Sequence, residues 1–478
     1  MTEADSLTQS VVDAAKYLRH IRAIDPAELD EYVPNADQAI IRNILRRHAH
    51  ALSLWERPDG CFEPIDEAPL SASFDGVKRF PPAYEQIIET ALIETFGEQW
   101  YAGVSGDRLR DAIRSFKADY YEERTVTYDE TTALGYALYH APNYFASIQY
   151  VLDDLVRHGQ VPRRLRILDV GAGVGGPALG MHAYLDDRAT VVYDAIEPSE
   201  ATSLLRTMLS ETGPHWQWTV HESTVESFEP SESYDLIVLA NVISELAHPS
   251  ETLDRLGAAL TPNGAILCVA PADKNTSLGL RSVERSLVDD RERFTIFSPT
   301  LRLWPDRHPT DPCWSFDERT PIETPRIQTR LDTEPRARET DREPGTGEFV
   351  HPEVRFSYSI LRTDNRRRSG VQLSRDRHVP LAESREHITN RVDLVAVKLS
   401  HSLSEGEGHP VYRIGDGSQS VPHFAVHTRE TALNRDLSAA SYGDVLVINQ
   451  GLILWNEDEE AINIVIDEPT AVDRIPPG

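Results

Sequence analysis

Apolar residues at Ile40, Ile41, Ile44, Leu45 and Leu52 recur at spacings near three and four. They predict an amphipathic helix capped at Asn35 or Asp37. PPAYEQIIETALIETFGEQW opens on two prolines and predicts a second helix. TALGYALYHAPNYFASIQYVLDDLVRHG, residues 132–159, predicts a helix, a break at Pro142 and a further helix that stops at glycine. Residues 1–130 therefore read as a helical N-terminal region.

From Arg166 the period changes. LRILDV, TVVYDAIEP, WQWTVHES, YDLIVLANV and GAILCVAP are five short β-rich runs. PALGMHAYL, SEATSLLRTMLSE and SETLDRLGAAL lie between them with helical character, and PNG, Pro262 to Gly264, marks a turn into the fifth run. Such alternation predicts an α/β fold with a parallel sheet and crossover helices, here over 131–365. Residues 317–350 are rich in Arg, Glu, Thr, Asp and Pro and read as a solvated loop. Residues 391–478 alternate repeatedly, from VDLVAVKL to AINIVIDEP. They predict a small β-rich domain with an OB-like barrel as its candidate form.

Charge changes the picture. Asp plus Glu number 77 against 48 Lys plus Arg, a net charge of −29, and only Lys16, Lys78, Lys117, Lys274 and Lys398 are lysines. A large acid excess with few lysines keeps a surface hydrated at high salt, so the chain reads as a protein of a salt-adapted, archaeal cytoplasm. Acidity disfavours nucleic acid at ordinary salt, and DNA is not expected; in a halophile local arginine patches matter more than the total. Cys61, Cys268 and Cys313 are too few and too scattered for a disulfide framework. The polar N-terminus is unlike a signal peptide, and no apolar run approaches the roughly 18 residues of a membrane span. A soluble, cytoplasmic protein is expected, with its oligomeric state open.

The chemistry concentrates in RILDVGAGVGG, Arg166 to Gly176. A strand ending in glycines before a helix lets main-chain amides approach a ligand closely. Gly171, Gly173 and Gly176 also satisfy the G-x-G-x-x-G spacing of dinucleotide enzymes, so the glycines alone do not choose a cofactor. Asp169, two residues before the first glycine, gives a pyrophosphate nothing. Glu197, ending the second strand, suits ribose hydroxyls in either case. Residues 160–275 resemble the class I methyltransferase fold, which implies S-adenosylmethionine. The residues it assigns to the cofactor are Asp169, Gly171, Ala172, Gly173, Gly175, Glu197, Pro198, Glu222, Ser223 and Asn241.

The flanks carry a narrower resemblance. ALGYALYHAPNYFASIQYVLDDL, NVISEL, APADKNTSLGLRSVERSL, FTIFSPT…DPCWSF and RFSYSIL occur in that order over about residues 125–365. This order is similar to the methyltransferase-like (Rsm-type) assembly factors of the small ribosomal subunit. The resemblance implies a partner in that subunit or its RNA. Many members hold an iron–sulfur cluster on cysteines after the fifth strand. Here Thr300 stands at one such place and only Cys313 remains, so neither a cluster nor another metal is expected; Cys313 with His308 and Asp311 is the one alternative set.

Catalysis is less legible. Ala240-Asn241-Val242-Ile243 has neither the proline pair nor the stacking aromatic of base-directed amino methyltransferases. Asn241, Ser244 and Glu245 are the polar candidates near a transferred methyl; Ser244 and Glu245 equally suit a helix start. Candidate RNA contacts are Arg281 with Arg285, Arg302 beside Trp304, Arg366–Arg368, and the aromatics Tyr412, Phe424 and Tyr442, at least two of which read better as core. Two further functions stay open: a non-catalytic assembly factor that keeps the pocket, and a methyltransferase for a small molecule or protein with the N-terminal helices as lid.

Overall fold

The computed structural model describes residues 3–476 except 31–32, 34–35, 123–126, 335–344, 372, 405 and 407. The chain forms two compact units, Met1–Ile237 with Pro321–Pro352, and Val238–Thr320 with Glu353–Gly478.

The first unit begins with α1 (Glu3–Leu18), α2 (Pro26–Asp30) and α3 (Gln38–Leu52), followed by a hairpin of β1 (Leu54–Glu56) and β2 (Phe62–Pro64). Val11, Ile41, Leu45 and Phe62 are among the side chains of their shared core. Asp37 caps α3, accepting a hydrogen bond from the Ile40 amide at 2.8 Å; Asn35, the other candidate, lies outside the described residues. Two longer helices follow, α4 (Pro82–Phe96) and α5 (Gly103–Tyr121).

α6 (Glu130–Arg157) corrects the expected break at Pro142, because the helix runs through it. Proline leaves the carbonyl four residues earlier without its amide donor. That carbonyl belongs to Leu138, and the Gln328 side-chain amide donates to it at 2.9 Å and to Tyr139 O at 3.0 Å. A tertiary partner replaces the missing helical bond.

β3 (Arg164–Val170), α7 (Gly176–Leu185), β4 (Thr190–Ile196), α8 (Thr202–Leu209) and β5 (Trp216–His221) then alternate. Their three strands pair in parallel in the order β5–β4–β3, with Asp169 opposite Ala195. β6 (Tyr234–Ala240) runs from the first unit into the second. Parallel strands with crossover helices make this the Rossmann-like sheet of class I methyltransferases.

α7 lies tightly on α6. A Cβ at Gly180 would stand 2.4 Å from Ile148 Cγ2 and from Phe145 O. Gly180→Val is therefore expected to cost about 3 kcal/mol or more, read from denaturant unfolding, since overpacking against backbone cannot relax cheaply.

In the second unit come α9 (Pro249–Gly257), β7 (Leu260–Pro271), α10 (Lys274–Arg285), β8 (Thr295–Ser298) and β9 (Asp317–Arg319). β7 begins before Pro262-Asn263-Gly264, so the expected turn is strand instead. α11 (Arg326–Thr333), back in the first unit, corrects the loop expected over 317–350 for that stretch, while 335–344 lie outside the described residues. Ile327 and Leu331, one helical turn apart, are fully buried, and the Ile327 amide donates to Glu85 Oε1 at 3.0 Å. β10 (Val354–Arg362), in the second unit, pairs antiparallel with β7, β8 and β9.

The C-terminal strands are β11 (Arg391–Lys398), β12 (Val411–Gly415), β13 (His423–His427), β14 (Val445–Asn456), β15 (Ala461–Ile466) and β16 (Ala471–Arg474), with α12 (Asp436–Ala439) between β13 and β14. Pairing runs β11–β12–β13–β15–β14 and returns to β11. β13 and β15 are parallel, and the other pairs are antiparallel. This closed five-stranded ring, filled by Leu394, Ile414, Ile448, Ile462 and Ile464, has the OB arrangement.

Candidate functional site

The glycine turn of the first unit connects β3 to α7. The Gly171 and Ala172 amides donate to Ile196 O at 2.8 and 3.1 Å, and so tie the turn to the end of β4. Gly173 has φ 54°, the left-handed region where a side chain is strained. A Cβ there would meet nothing closer than Gly171 O at 4.0 Å, so the space over the turn is open. The Gly173 amide donates to Glu197 Oε2 at 2.8 Å, while Glu197 Oε1 accepts from the Ser199 amide at 2.9 Å. Glu197 thus fixes the turn itself, a role its sequence position did not indicate. Each of its oxygens keeps a lone pair for a further donor.

Asp169 is buried at the end of β3. Tyr193, on the neighbouring strand, donates its hydroxyl to Asp169 Oδ2; Oδ1 is buried with no hydrogen-bond partner among the described residues. Burial pushes the Asp169 carboxyl up to about 7, the Tyr193 bond opposes the rise, and the charge of Glu197 adds to it. The folded state therefore holds a proton that the unfolded chain has already lost, and this group's contribution to stability falls as pH rises from 3.8 to about 7.

The remaining assigned positions are more dispersed. Pro198 and Glu222 are exposed, and Glu222 pairs with Arg206 at 2.8 Å. The Ser223 amide donates to His221 O at 3.0 Å. Asn241 belongs to the second unit; it follows β6 with φ 61°, buried, its amide nitrogen Nδ2 without a partner among the described residues. Ser244 and Glu245 are exposed in a short 3₁₀ turn, Ile243–Glu245. They do not start the next helix, since α9 begins at Pro249 after His248.

The expected RNA contacts change most. Arg281 is fully buried: it pairs with Glu284 at 2.6 Å and donates to Tyr358 O at 3.0 Å. Arg302 lies between Asp289 at 2.7 Å and Glu284 at 3.3 Å. Trp304 is buried too, its indole N–H donating to Asp416 Oδ2 at 2.7 Å. Arg285 donates to Pro312 O at 3.2 Å. In the Arg366–Arg368 run, Arg366 lies 3.5 Å from Asp364, Arg367 donates to Arg302 O at 2.9 Å, and Arg368 pairs with Asp444 at 2.7 Å. Tyr412 and Tyr442 are buried, while Phe424 is half-buried under the Arg413 guanidinium at 5.8 Å.

The β12–β13 loop, and Arg413 on the strand face that OB barrels use for oligonucleotides, are engaged by residues 303–311 of the chain itself. The Leu303 amide donates to Asp416 O at 2.9 Å and the Thr310 amide to Gln419 O at 3.0 Å, while Asp311 pairs with Arg413. Asp311 also accepts from the Cys313 amide at 3.2 Å, on the same oxygen, Oδ2, that meets Arg413. Among the described residues no group of three or more His, Cys, Asp or Glu is placed to hold a metal, and no helix is long and apolar enough to cross a membrane.

Residues 168–266 match a methyltransferase domain. The flanks match a domain of unknown function, DUF8157, through its N-terminal domain over residues 8–58 and its C-terminal domain over 382–475. The comparison with curated proteins finds no match. Among solved structures the chain is similar to the plantazolicin methyltransferase BpumL, solved with a desmethylPZN analog and SAH. Identity is 13%, coverage 59% of this chain and 98% of that one, and the TM-score 0.31. It is also similar to the sugar N-methyltransferase KedS8 from Streptoalloteichus (19%, 26% and 47%, TM-score 0.21). A third is an S-adenosylmethionine-dependent methyltransferase from Clostridium acetobutylicum (13%, 29% and 52%, TM-score 0.22).

S-adenosylmethionine, the group such a domain implies, fits the residues of the turn. Asp169 Oδ1 is an enclosed carboxylate atom that the ammonium of the amino-acid part would satisfy. The open space at Gly173 and the spare lone pairs of Glu197 would take the nucleoside, its ribose hydroxyls donating to Glu197. Tyr193 went unnoticed in the sequence. Its signal was parity: Asp169 opposes Ala195, so Tyr193 falls on the same sheet face two residues away.

Proposed function

We propose that the methyltransferase domain binds S-adenosylmethionine and transfers its methyl group to a small-molecule acceptor. The observation that carries the cofactor half is Asp169, a buried carboxylate with one oxygen unpartnered beside an open glycine turn. When bound, the cofactor would supply a sulfonium methyl, open to an acceptor's lone pair with the neutral thioether as leaving group. The chain's part is positioning. Glu197 fixes the turn through Gly173, and Tyr193 holds the Asp169 carboxylate through Oδ2, leaving Oδ1 for the ammonium. Positioning of this kind supplies much of a transfer barrier.

The acceptor half rests on where the arginines go. Arg281 and Arg302 are used inside the fold, and residues 303–311 engage the β12–β13 loop and Arg413, which favours a small acceptor over RNA. The order of motifs over residues 125–365 supports a second reading, a ribosomal-RNA or assembly role with or without turnover. Incubation with methyl-labelled S-adenosylmethionine and an extract of a salt-adapted archaeon, in molar salt, separates them. Label below about 2 kDa is expected. Label in small-subunit RNA would replace this reading with the second, and cofactor binding with no label in any fraction would leave only a binding factor.

A further inference from the structure

α6 and α7 run in the same direction. Gly176 sits on Ala141, Gly180 on Phe145 and Ile148, and Tyr184 donates to Asp153 at 2.8 Å. The residues of α6 before Ala141 therefore continue past the start of α7, on the side of the glycine turn, for roughly 16 Å at 1.5 Å per residue. The far end agrees: the Glu130 amide donates to Glu200 Oε2 at 3.0 Å, three residues beyond Glu197. This overhanging part of the helix lies along the edge of the sheet where the cofactor residues stand.

One face of α6 is aromatic, from the overhang into the stretch beside α7. Tyr136, His140 and Tyr144 recur at i, i+4 and i+8 and are all half-buried. His140 stacks flat on Tyr144, with centroids 5.1 Å apart and planes 5° apart, and lies 4.9 Å from Tyr136. Phe116, Tyr128 and His351 close around the row at 5.3 to 5.5 Å. His140 Nδ1 is enclosed and without a hydrogen-bond partner among the described residues, a polar atom that an incoming N–H or O–H satisfies. Burial, with His351 and Lys117 adding to it, holds the imidazole neutral. One charge that acts on His140 is Lys117, whose ammonium lies 4.5 Å over the neighbouring Tyr139 ring and donates to its hydroxyl at 2.9 Å.

We propose that the row Tyr136–His140–Tyr144 is the wall on which the methyl acceptor stacks, and that this acceptor is flat, π-rich and neutral or anionic. The proposal rests on the cofactor reading of the glycine turn and names the other half of that site. Ring faces at stacking distance select planarity. Lys117 beside the row favours an anion over a cation, against the sign of the protein as a whole.

Saturation-transfer NMR on the full chain in molar salt, with S-adenosylhomocysteine present, tests it with three named probes. Quinoline-2-carboxylate is expected to receive magnetisation, while cyclohexanecarboxylate and tetramethylammonium receive none. Tyr136→Leu and His140→Ala should each weaken the quinoline probe by roughly tenfold, the size of one lost stacking contact, with S-adenosylhomocysteine affinity within about twofold. That retained affinity shows the variants are folded. Equal binding of the planar and non-planar acids, preference for the ammonium, or a quinoline affinity unchanged in both variants would overturn the acceptor proposal alone. Failure of the wild type to bind S-adenosylhomocysteine would instead sink the cofactor reading, and this proposal with it.

Discussion

Asp169→Asn is expected to weaken S-adenosylmethionine binding by about 30-fold or more. Loss of one partner from an enclosed charge pair costs about 2–5 kcal/mol, and asparagine keeps the shape while removing the charge. The distinguishing feature is pH. Because burial holds the wild-type carboxyl at about 7, the apo site is protonated below that value and must lose its proton to receive an ammonium. Wild-type affinity should therefore fall about tenfold per unit as pH drops below about 7, and in Asp169→Asn this slope should vanish. The substitution also mimics the protonated form, so the apo protein should be more stable than wild type at pH 8, with the difference shrinking as pH falls below about 7 and vanishing only near 3.8. Calorimetric titrations at three pH values read the first effect and denaturant unfolding the second. A slope that persists in the variant would show that another group titrates.

Glu284→Ala is expected to destabilise the second unit by about 3–5 kcal/mol. Glu284 is 2% exposed and accepts from Arg281, Arg302 and the Thr300 hydroxyl. Burial alone would raise its carboxyl, but the two guanidiniums and the hydroxyl outweigh that and hold it below the usual range. Removing it leaves Arg281 buried with only neutral partners, Tyr358 O and the Tyr442 hydroxyl. Arg285→Ala, one residue along, serves as control: a partly exposed side chain with backbone partners should change stability by less than about 1 kcal/mol. Denaturant unfolding in molar salt measures both. Similar values for the two variants would mean that the buried charges are not coupled.

The contrast between these two sites shows what the sequence carried. The placement of Asp169, the glycines and Glu197 was legible because it is local: a strand end, a turn and the next strand end are fixed by period and spacing. The parallel sheet and the alternating C-terminal strands were legible for the same reason. Arg281 and Arg302 were misread because an arginine beside polar residues looks like solvated surface until its carboxylate partner arrives from elsewhere in the chain. Pro142 misled likewise, since Gln328, 190 residues from Leu138, supplies the donor that the helix lacks. α11 went unseen because two apolar residues in a charged run make a weak period, although Ile327 and Leu331 are both completely buried. The aromatic row on α6 did leave a trace, in YALYHAPNY, where an i, i+4, i+8 spacing of rings departs from the aliphatic pattern around it.

One titration decides most. The wild-type chain, purified in molar salt, is titrated calorimetrically at pH 8 with S-adenosylhomocysteine and, separately, with NAD. Binding of the first at one site per chain, lost in Asp169→Asn and Gly173→Asp, with no heat from the second, is the predicted result. Heat from the dinucleotide, or none from either ligand, would contradict the assignment of the glycine turn to a sulfur-bearing nucleoside.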